Sequence, residues 1–291
     1  MFTVTILAAP ERANLAAPLV EELRKDWDGG HVLWLNPGIA AEFPVEAVPA
    51  DFWKAWEILQ QKGFDLAIQP TLGRRKAVLL ADMDSTMIQQ ECIDELADFA
   101  GVGARVAAIT ASAMNGELNF HEALTARVSL LAGLSESAIG EVLDSRITLA
   151  AGGKELVATM RAEGAYTALV SGGFTVFTGP VAAALGFDEH RANELLADQG
   201  VLLGTVGLPI LGREAKIEAL EQITAARGLT PADAIAVGDG ANDLGMLKLA
   251  GTGVALHAKP VVAAEVDLRI NHGDLTALLY LQGYAAEEFA K

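Results

Sequence analysis

Three apolar runs in this 291-residue chain each end in residues able to do chemistry. Ala77-Val78-Leu79-Leu80-Ala81 leads into Asp82-Met83-Asp84-Ser85-Thr86, the run from Tyr166 to Val170 into Ser171-Gly172-Gly173, and the run from Ala234 to Val237 into Gly238-Asp239-Gly240-Ala241-Asn242-Asp243. Together these endings offer four carboxylates, a hydroxyl and glycine-exposed backbone N–H groups, which is what a magnesium-assisted phosphoryl-transfer site requires. A phosphate monoester resists attack because its oxygens are negative and an alkoxide leaves poorly, so the site must supply a nucleophile, charge neutralisation and a proton. Asp82 fits the nucleophile, attacking phosphorus in line to give an aspartyl-phosphate. Asp84, two residues on, can turn the same way, protonate the departing oxygen and later activate the hydrolytic water. Ser171 and the Gly172 N–H would hold phosphate oxygens, since glycine lets the backbone approach closely.

These residues need a scaffold that brings three strand ends together. Ala77 to Ala81 is apolar without alternation, as expected of a parallel strand buried on both faces. From Gly152 onward helical and strand patterns alternate: a helix through Leu156 and Met160, a strand at Tyr166 to Val170, a helix at Ala215 to Ala226, a strand at Ala234 to Val237 and a helix at Asp243 to Leu249. That alternation predicts an α/β fold with a doubly wound, Rossmann-like parallel sheet, whose ligands bind beyond the carboxyl ends of its strands. Between the first strand and the Ser171 loop, about residues 88–150, the pattern is all-helical: Cys92, Leu96 and Phe99 share one face, and Phe120, Leu124, Val128 and Leu131 another. This predicts a helical cap inserted into the core.

Residues 1–72 read as a separate small α/β module, with strands at Phe2 to Leu7, Val32 to Leu35 and Phe64 to Ile68 and helices near Leu15 to Lys25 and Phe52 to Gln61. It holds no cluster of catalytic residue types, so a packing or regulatory role is expected. Gly73-Arg74-Arg75-Lys76 marks the boundary to a second unit, residues 73–291.

The 21 basic and 38 acidic side chains give 21 − 38 = −17, with a pI near 4.6, a field that repels nucleic acid and anionic bilayers. The longest uncharged stretch, Gly164 to Phe187, is interrupted by Gly172, Gly173 and Pro180 and reads poorly as a membrane span. The N-terminus has no basic region of a secretory signal, and a single cysteine, Cys92, allows no intramolecular disulfide, which suits a cytoplasmic protein. Cys92 is expected to be a small buried hydrophobe, and His121, His190, His257 and His272 show no metal-site spacing.

The ordered set of motifs resembles the haloacid dehalogenase superfamily, and more fully its phosphoserine phosphatase family, from about Lys76 to near the C-terminus. The resemblance is carried by Asp82-Met83-Asp84-Ser85-Thr86 with Glu91, Met114 with Asn119-Phe120, Arg127-Val128-Ser129-Leu130-Leu131, Val170-Ser171-Gly172-Gly173-Phe174, Val237-Gly238-Asp239-Gly240-Ala241-Asn242-Asp243 and Ala258-Lys259-Pro260. It implies Mg²⁺ on the Asp82 carboxylate, the Asp84 backbone carbonyl and Asp239, with Asp243 in support. Lys216, which local pattern alone reads as a solvated helix residue between other charges, becomes by resemblance the phosphate-neutralising lysine, and Asn242 a further polar contact there. In the cap, Glu91 would meet the substrate's ammonium and Arg127 its carboxylate, with Met114 and Phe120 packed around them. Taken singly, these four residues would read as a helix-end carboxylate, a solvated face and core. The implied reaction is Mg²⁺-dependent hydrolysis of O-phospho-L-serine, the last step of serine biosynthesis, and the reading admits a homodimer. The rivals are transfer to another hydroxy-amino acid, a related small phosphate as substrate, or a non-catalytic serine sensor. Residues 1–72 carry no motif that matches the amino-acid-binding regulatory domains of related enzymes.

Overall fold

The computed structural model describes residues 1–114 and 117–290, without the Met114 side chain. The chain opens with β1 (Phe2–Ala8), α1 (Ala17–Asp26), β2 (Leu33–Asn36), β3 (Ala40–Val45), α2 (Phe52–Lys62) and β4 (Phe64–Pro70). These strands form an antiparallel sheet in the order β2-β3-β1-β4, so that β1-α1-β2 and β3-α2-β4 are interleaved split βαβ units. One face of the sheet and the two helices enclose their own apolar core, which includes Val4, Ile6, Phe43, Phe52, Leu59 and Leu66.

The larger part contains β5 (Val78–Ala81), α3 (Cys92–Phe99), α4 (Gly103–Met114), α5 (Phe120–Ser129), α6 (Ser137–Arg146), α7 (Gly153–Ala162), β6 (Tyr166–Phe174), α8 (Thr175–Leu185) and β7 (Glu189–Asn193). It continues with β8 (Leu195–Asp198), β9 (Val201–Val206), α9 (Arg213–Ala225), β10 (Ala234–Gly238), α10 (Leu244–Leu249), β11 (Thr252–Leu256), α11 (Pro260–Ala263), β12 (Leu268–Ile270) and α12 (Ala277–Leu281). Six strands make a parallel sheet in the order β12-β11-β10-β5-β6-β7. Alternate residues of its central strands enter different cores: Leu79, Ala81, Ile235 and Val237 face one, while Val78, Leu80, Ala234 and Ala236 face the other. Both faces of β5 and β10 are therefore dry, which explains sequences that are apolar without alternation. The chain runs outward from β5 through β6 and β7, then crosses back to place β10 on the other flank of β5. The crevice beyond the carboxyl ends of β5 and β10 is thus the switch point of the sheet.

Helices α3 to α6 leave the core between β5 and β6 as the expected insert. The insert is not completed by helices alone: the hairpin of β8 and β9 closes it, with Gly133 N donating to Leu202 O at 2.9 Å and Leu202 N to Leu134 O at 2.8 Å. The hairpin contributes Leu195 and Leu202 to the same apolar core as Leu131 and Val142 of the insert. Phe99, expected beside Cys92 and Leu96, turns outward and is 37% exposed, near the Arg146 guanidinium; Cys92 and Leu96 are buried. The uncharged stretch Gly164 to Phe187 divides into β6 and α8, and no described helix is long and apolar enough to cross a membrane.

Polar contacts join the antiparallel sheet to the rest. Arg74 clasps Glu42 through two bonds of 2.7 and 2.9 Å, and Arg75 stacks on Tyr284 while pairing with Glu288 at 2.6 Å. Asp65 of β4, fully buried, accepts from three successive backbone N–H groups beyond β12: Asn271 at 2.9, His272 at 3.0 and Gly273 at 2.8 Å. Successive N–H groups aimed at one carboxylate make a backbone anion nest. Asp65→Ala would leave these donors unpaired, so urea denaturation should show a loss on the order of 3 kcal/mol or more. A change under about 1 kcal/mol would mean that water replaces the carboxylate there.

Candidate active site

The first catalytic segment continues the geometry of β5. Asp82 N donates to Val237 O at 3.0 Å, extending the parallel ladder to β10, so side chains still alternate through Asp82, Met83 and Asp84. Met83 is fully buried in the core, and both carboxylates turn to the opposite side. Ser85 then takes a left-handed conformation, φ 55°, while the N–H groups of Thr86, Met87 and Ile88 converge on Met83 O at 3.2, 2.9 and 3.1 Å. This tight turn stops the strand beneath the crevice.

Across the crevice, the loop after β10 brings in Asp239 and Asp243. Asp243 is completely buried and accepts from Gly240 N at 2.9 Å. Gly238 is required here, because a Cβ at that position would lie 2.7 Å from Asp243 Cβ. The third contributor is Lys216 of α9. Local sequence reads it as solvated, yet it is 1% exposed and its Nζ lies 2.5 Å from both Asp82 Oδ1 and Asp243 Oδ1. Burial alone would lower its pKa, but the facing carboxylates of Asp243 and Asp82 outweigh that and raise it, so the ammonium stays charged.

One ammonium does not balance the carboxylates it meets. Oxygens of Asp82, Asp239 and Asp243 all lie within 4.8 Å of one another. Burial and then the neighbouring Asp243 push the Asp82 carboxyl well above the usual range. Burial also lifts Asp239 to about 6, against the pull of Lys259, whose half-exposed ammonium is 3.5 Å away at the rim. A buried cluster of oxygen donors with surplus negative charge has the chemistry that suits a hard divalent cation such as Mg²⁺. The Asp84 side chain stands outside this cluster. Its Oδ1 accepts from Cys92 N at 3.0 Å, its Oδ2 is 3.4 Å from Ser171 Oγ, and burial followed by the charge of Glu91 lifts it to about 6. A carboxyl titrating there can both give and take a proton near neutrality.

Ser171 is buried, and its Oγ accepts from Gly173 N at 2.8 Å. Phe120, at the start of α5, lies directly over this loop: a Cβ on Gly172 would be 3.2 Å from its Cζ, and one on Gly212 3.2 Å from its Cδ1. Glu91, the residue before α3, accepts from Ser85 Oγ at 2.9 Å. Arg127 of α5 is half-buried; among the described residues its guanidinium engages only Ala123 O, through Nε at 3.3 Å, and no carboxylate comes within ion-pair distance of it. Burial lowers its pKa, opposed by Asp94, Glu91 and Asp84. Asn242 is half-buried just before α10, beside Gly240. Met114 ends α4, and its side chain lies outside the described residues. Three further residues belong to the neighbourhood: Lys259 against Asp239, Ser85 against Glu91, and Asn193, whose amide bonds Gly172 O at 2.9 Å. For Lys259 the signal was its Ala-Lys-Pro motif; Ser85 and Asn193 carry no local signal of such contacts.

The unbalanced charge has a pH signature. Asp239 titrates near 6 in the folded chain against 3.8 ordinarily, so the folded state binds that proton more tightly. Its contribution is fully present below the lower value and lost as pH rises through the upper one. In EDTA at pH 7, Asp239→Asn should therefore melt at a higher temperature than the parent, with the gap narrowing as pH falls through 6 toward 4. Added Mg²⁺ should raise the melting temperature of the parent more than that of the variant. A gap that is constant with pH would mean that Asp239 is not strained by its neighbours.

A haloacid dehalogenase-like hydrolase family model matches residues 79–248. The phosphoserine phosphatase of Haemophilus influenzae is 41% identical over 80% of this chain and 73% of its own length. A haloacid dehalogenase family hydrolase of Salmonella enterica superposes with a TM-score of 0.86 at 30% identity, covering 97% of this chain and 98% of the other. A phosphoserine phosphatase solved as a phospho-aspartyl intermediate analogue gives a TM-score of 0.66 at 40% identity, over 71% of this chain and 98% of that one. By these matches this chain is an enzyme and belongs to the phosphoserine phosphatase family of haloacid dehalogenase-like hydrolases.

Proposed function

We propose that this chain hydrolyses O-phospho-L-serine to L-serine and phosphate through a phosphorylated Asp82. The observation that carries this reading is the buried pairing of Asp82 with Lys216 at a strand end, beside a second carboxyl, Asp84, that titrates near 6. Lys216 opposes the upward shift of Asp82, favouring its anionic form, and would share its charge with the incoming phosphoryl oxygens. Ser171, Gly172 and Asn242 supply the remaining polar contacts to that group. Asp84 donates its proton to the departing serine oxygen, then takes one from the water that attacks the aspartyl-phosphate. Asp82, Asp239 and the Asp84 backbone carbonyl would hold Mg²⁺, with Asp243 in support, and the ion would neutralise phosphoryl charge.

Selectivity falls to the cap. Phosphoserine brings an ammonium and a carboxylate beside its phosphate, and Glu91 and Arg127 are the complementary pair, with Phe120 and Met114 as apolar wall. The half-buried Arg127, without a carboxylate partner among the described residues, supports this assignment. Packing of Phe120 over Gly172 would exclude bulk water while the acyl phosphate forms. The reaction would be the final step of serine biosynthesis, carried out in the cytoplasm. Residues 1–72 and 73–291 are proposed as separate folding units, the first a packing or regulatory module.

Phosphate release from phosphoserine should require Mg²⁺ and fall at least ~1,000-fold in Asp82→Asn. Wild-type release from other esters but not phosphoserine would keep the chemistry and reject the substrate. Glu91→Ala and Arg127→Ala should each lower kcat/KM for phosphoserine by roughly 100-fold, with far smaller effects on 4-nitrophenyl phosphate. Equal losses on both substrates would remove the two residues from recognition of the amino acid.

A further inference from the structure

Asn193, the last residue of the edge strand β7, is 2% exposed and uses its amide completely. Its Nδ2 donates to Gly172 O at 2.9 Å and to Leu211 O at 3.1 Å, and its Oδ1 accepts from Leu211 N at 2.7 Å. The amide orientation is unambiguous, since both carbonyls can only accept and the Leu211 N–H can only donate. The β6–β7 register breaks between Val170 and Phe174, where Ser171, Gly172 and Gly173 leave the ladder. The Asn193 side chain takes over for the backbone bonds missing there.

The Gly172–Gly173 peptide is planar, so fixing its oxygen fixes the direction of its N–H. That N–H is the one that donates to Ser171 Oγ at 2.8 Å. Occupying one Oγ lone pair turns the hydroxyl proton to the crevice side, where Asp84 Oδ2 lies 3.4 Å away. The other half of the amide grips Leu211 at two points, immediately before Gly212 and the first turn of α9. Helix α9 carries Lys216. One buried amide thus spans the Ser171 loop and the segment that delivers the lysine.

We propose that Asn193 is a positioning residue for phosphoryl binding: through the Gly172–Gly173 peptide it aims the Ser171 hydroxyl, and through Leu211 it fixes that hydroxyl relative to Lys216. The assignment rests on Ser171 and Lys216 holding the phosphoryl group, and is independent of which phosphate ester is the substrate. Asn193→Asp keeps the acceptor for Leu211 N–H but sets a carboxylate oxygen against two carbonyl oxygens, which turns the 172–173 peptide away.

The expected result is a roughly 10–100-fold fall in kcat/KM in Asn193→Asp and Asn193→Ala. The fall should be equal for phosphoserine and 4-nitrophenyl phosphate, with weaker inhibition by orthovanadate and unchanged circular dichroism. Equality across substrates separates this effect from the cap residues, and its absence from the folded-state spectrum separates it from unfolding. In a Ser171→Ala background the same substitution should cost under about 3-fold, the signature of two residues acting as one unit. Additive losses, a loss confined to phosphoserine, or folded variants with unchanged kcat/KM would each overturn the proposal. Were neither variant to fold, the wild-type Asn193 side-chain amide resonances decide it: they should shift when orthovanadate binds, and signals that stay in place overturn it. If the wild type ignores phosphoserine but cleaves 4-nitrophenyl phosphate, the substrate reading fails and the Asn193 comparison still stands on the aryl ester.

Discussion

The structure is organised around one buried cation. Lys216 lies within 2.5 Å of two carboxylates in a place that water does not reach, and three carboxylates share the space that it helps to neutralise. Removing such charges from water costs several kcal/mol per ion, repaid only where geometry and further hydrogen bonds are good. Each neighbouring feature serves that geometry: the ladder bond that directs Asp82, the missing Cβ at Gly238 that lets Asp243 approach, and the Gly240 N–H that satisfies Asp243's second oxygen. In the proposed function the residual negative charge is what would make the crevice a cation site and not only a stable ion cluster. Groups held away from their ordinary pKa by burial and by like charge are ready to bind a cation or exchange a proton.

In the proposed reaction the sheet and the cap would divide the chemistry between them. The parallel core supplies groups that any phosphate ester would need, all at the carboxyl ends of β5, β6 and β10 or at the start of α9. The insert would supply Glu91, Arg127 and Phe120, whose types suit the groups that phosphoserine carries beside its phosphate. The insert is bound to the core through shared apolar packing and through its hairpin, whose two strands arise far along the chain between β7 and α9. The segment leaving that hairpin leads directly to Leu211 and Gly212, so the closing piece of the cap and the approach to Lys216 are one stretch of backbone.

The antiparallel sheet of residues 2–70 is fastened by apolar and polar contacts together: Leu7, Leu35, Ala40 and Ala67 are buried in the same core as Leu278 and Leu281. Only the helix-covered face has a core of its own, and beside the shared apolar contact Asp65, Glu42 and Gln69 meet backbone N–H groups, Arg74 and the Leu281 carbonyl. Arg74 and Arg75, which read in sequence as a polar break, are both committed to specific partners. A basic tetrapeptide between two modules therefore acts here as a clasp.

Much of this was legible in the residue order. The apolar runs ending in Asp82 and Asp239 located two strand ends of the sheet, and the run ending in Ser171 the break in register inside β6, which continues to Phe174, because a strand buried on both faces has little choice of composition. The family resemblance turned those endings into named roles. Elements with weaker local signals were missed: β3 contains Glu42 and Pro44 and lacks alternation, and the strands of the β8–β9 hairpin are short, apolar and without alternation. Phe99 shows the limit of periodicity, since a helix repeats its face whether or not a partner lies opposite. What the sequence by itself determined was which residue types sit at strand ends, since that follows from local composition and spacing. The tertiary structure alone decided that Lys216 is buried, that Asp243 joins Asp82 and Asp239, and that Asn193 holds Gly172 to Leu211. Those facts depend on groups far apart in the chain meeting where water is excluded, and no local pattern encodes the dielectric or the partner that a side chain will find.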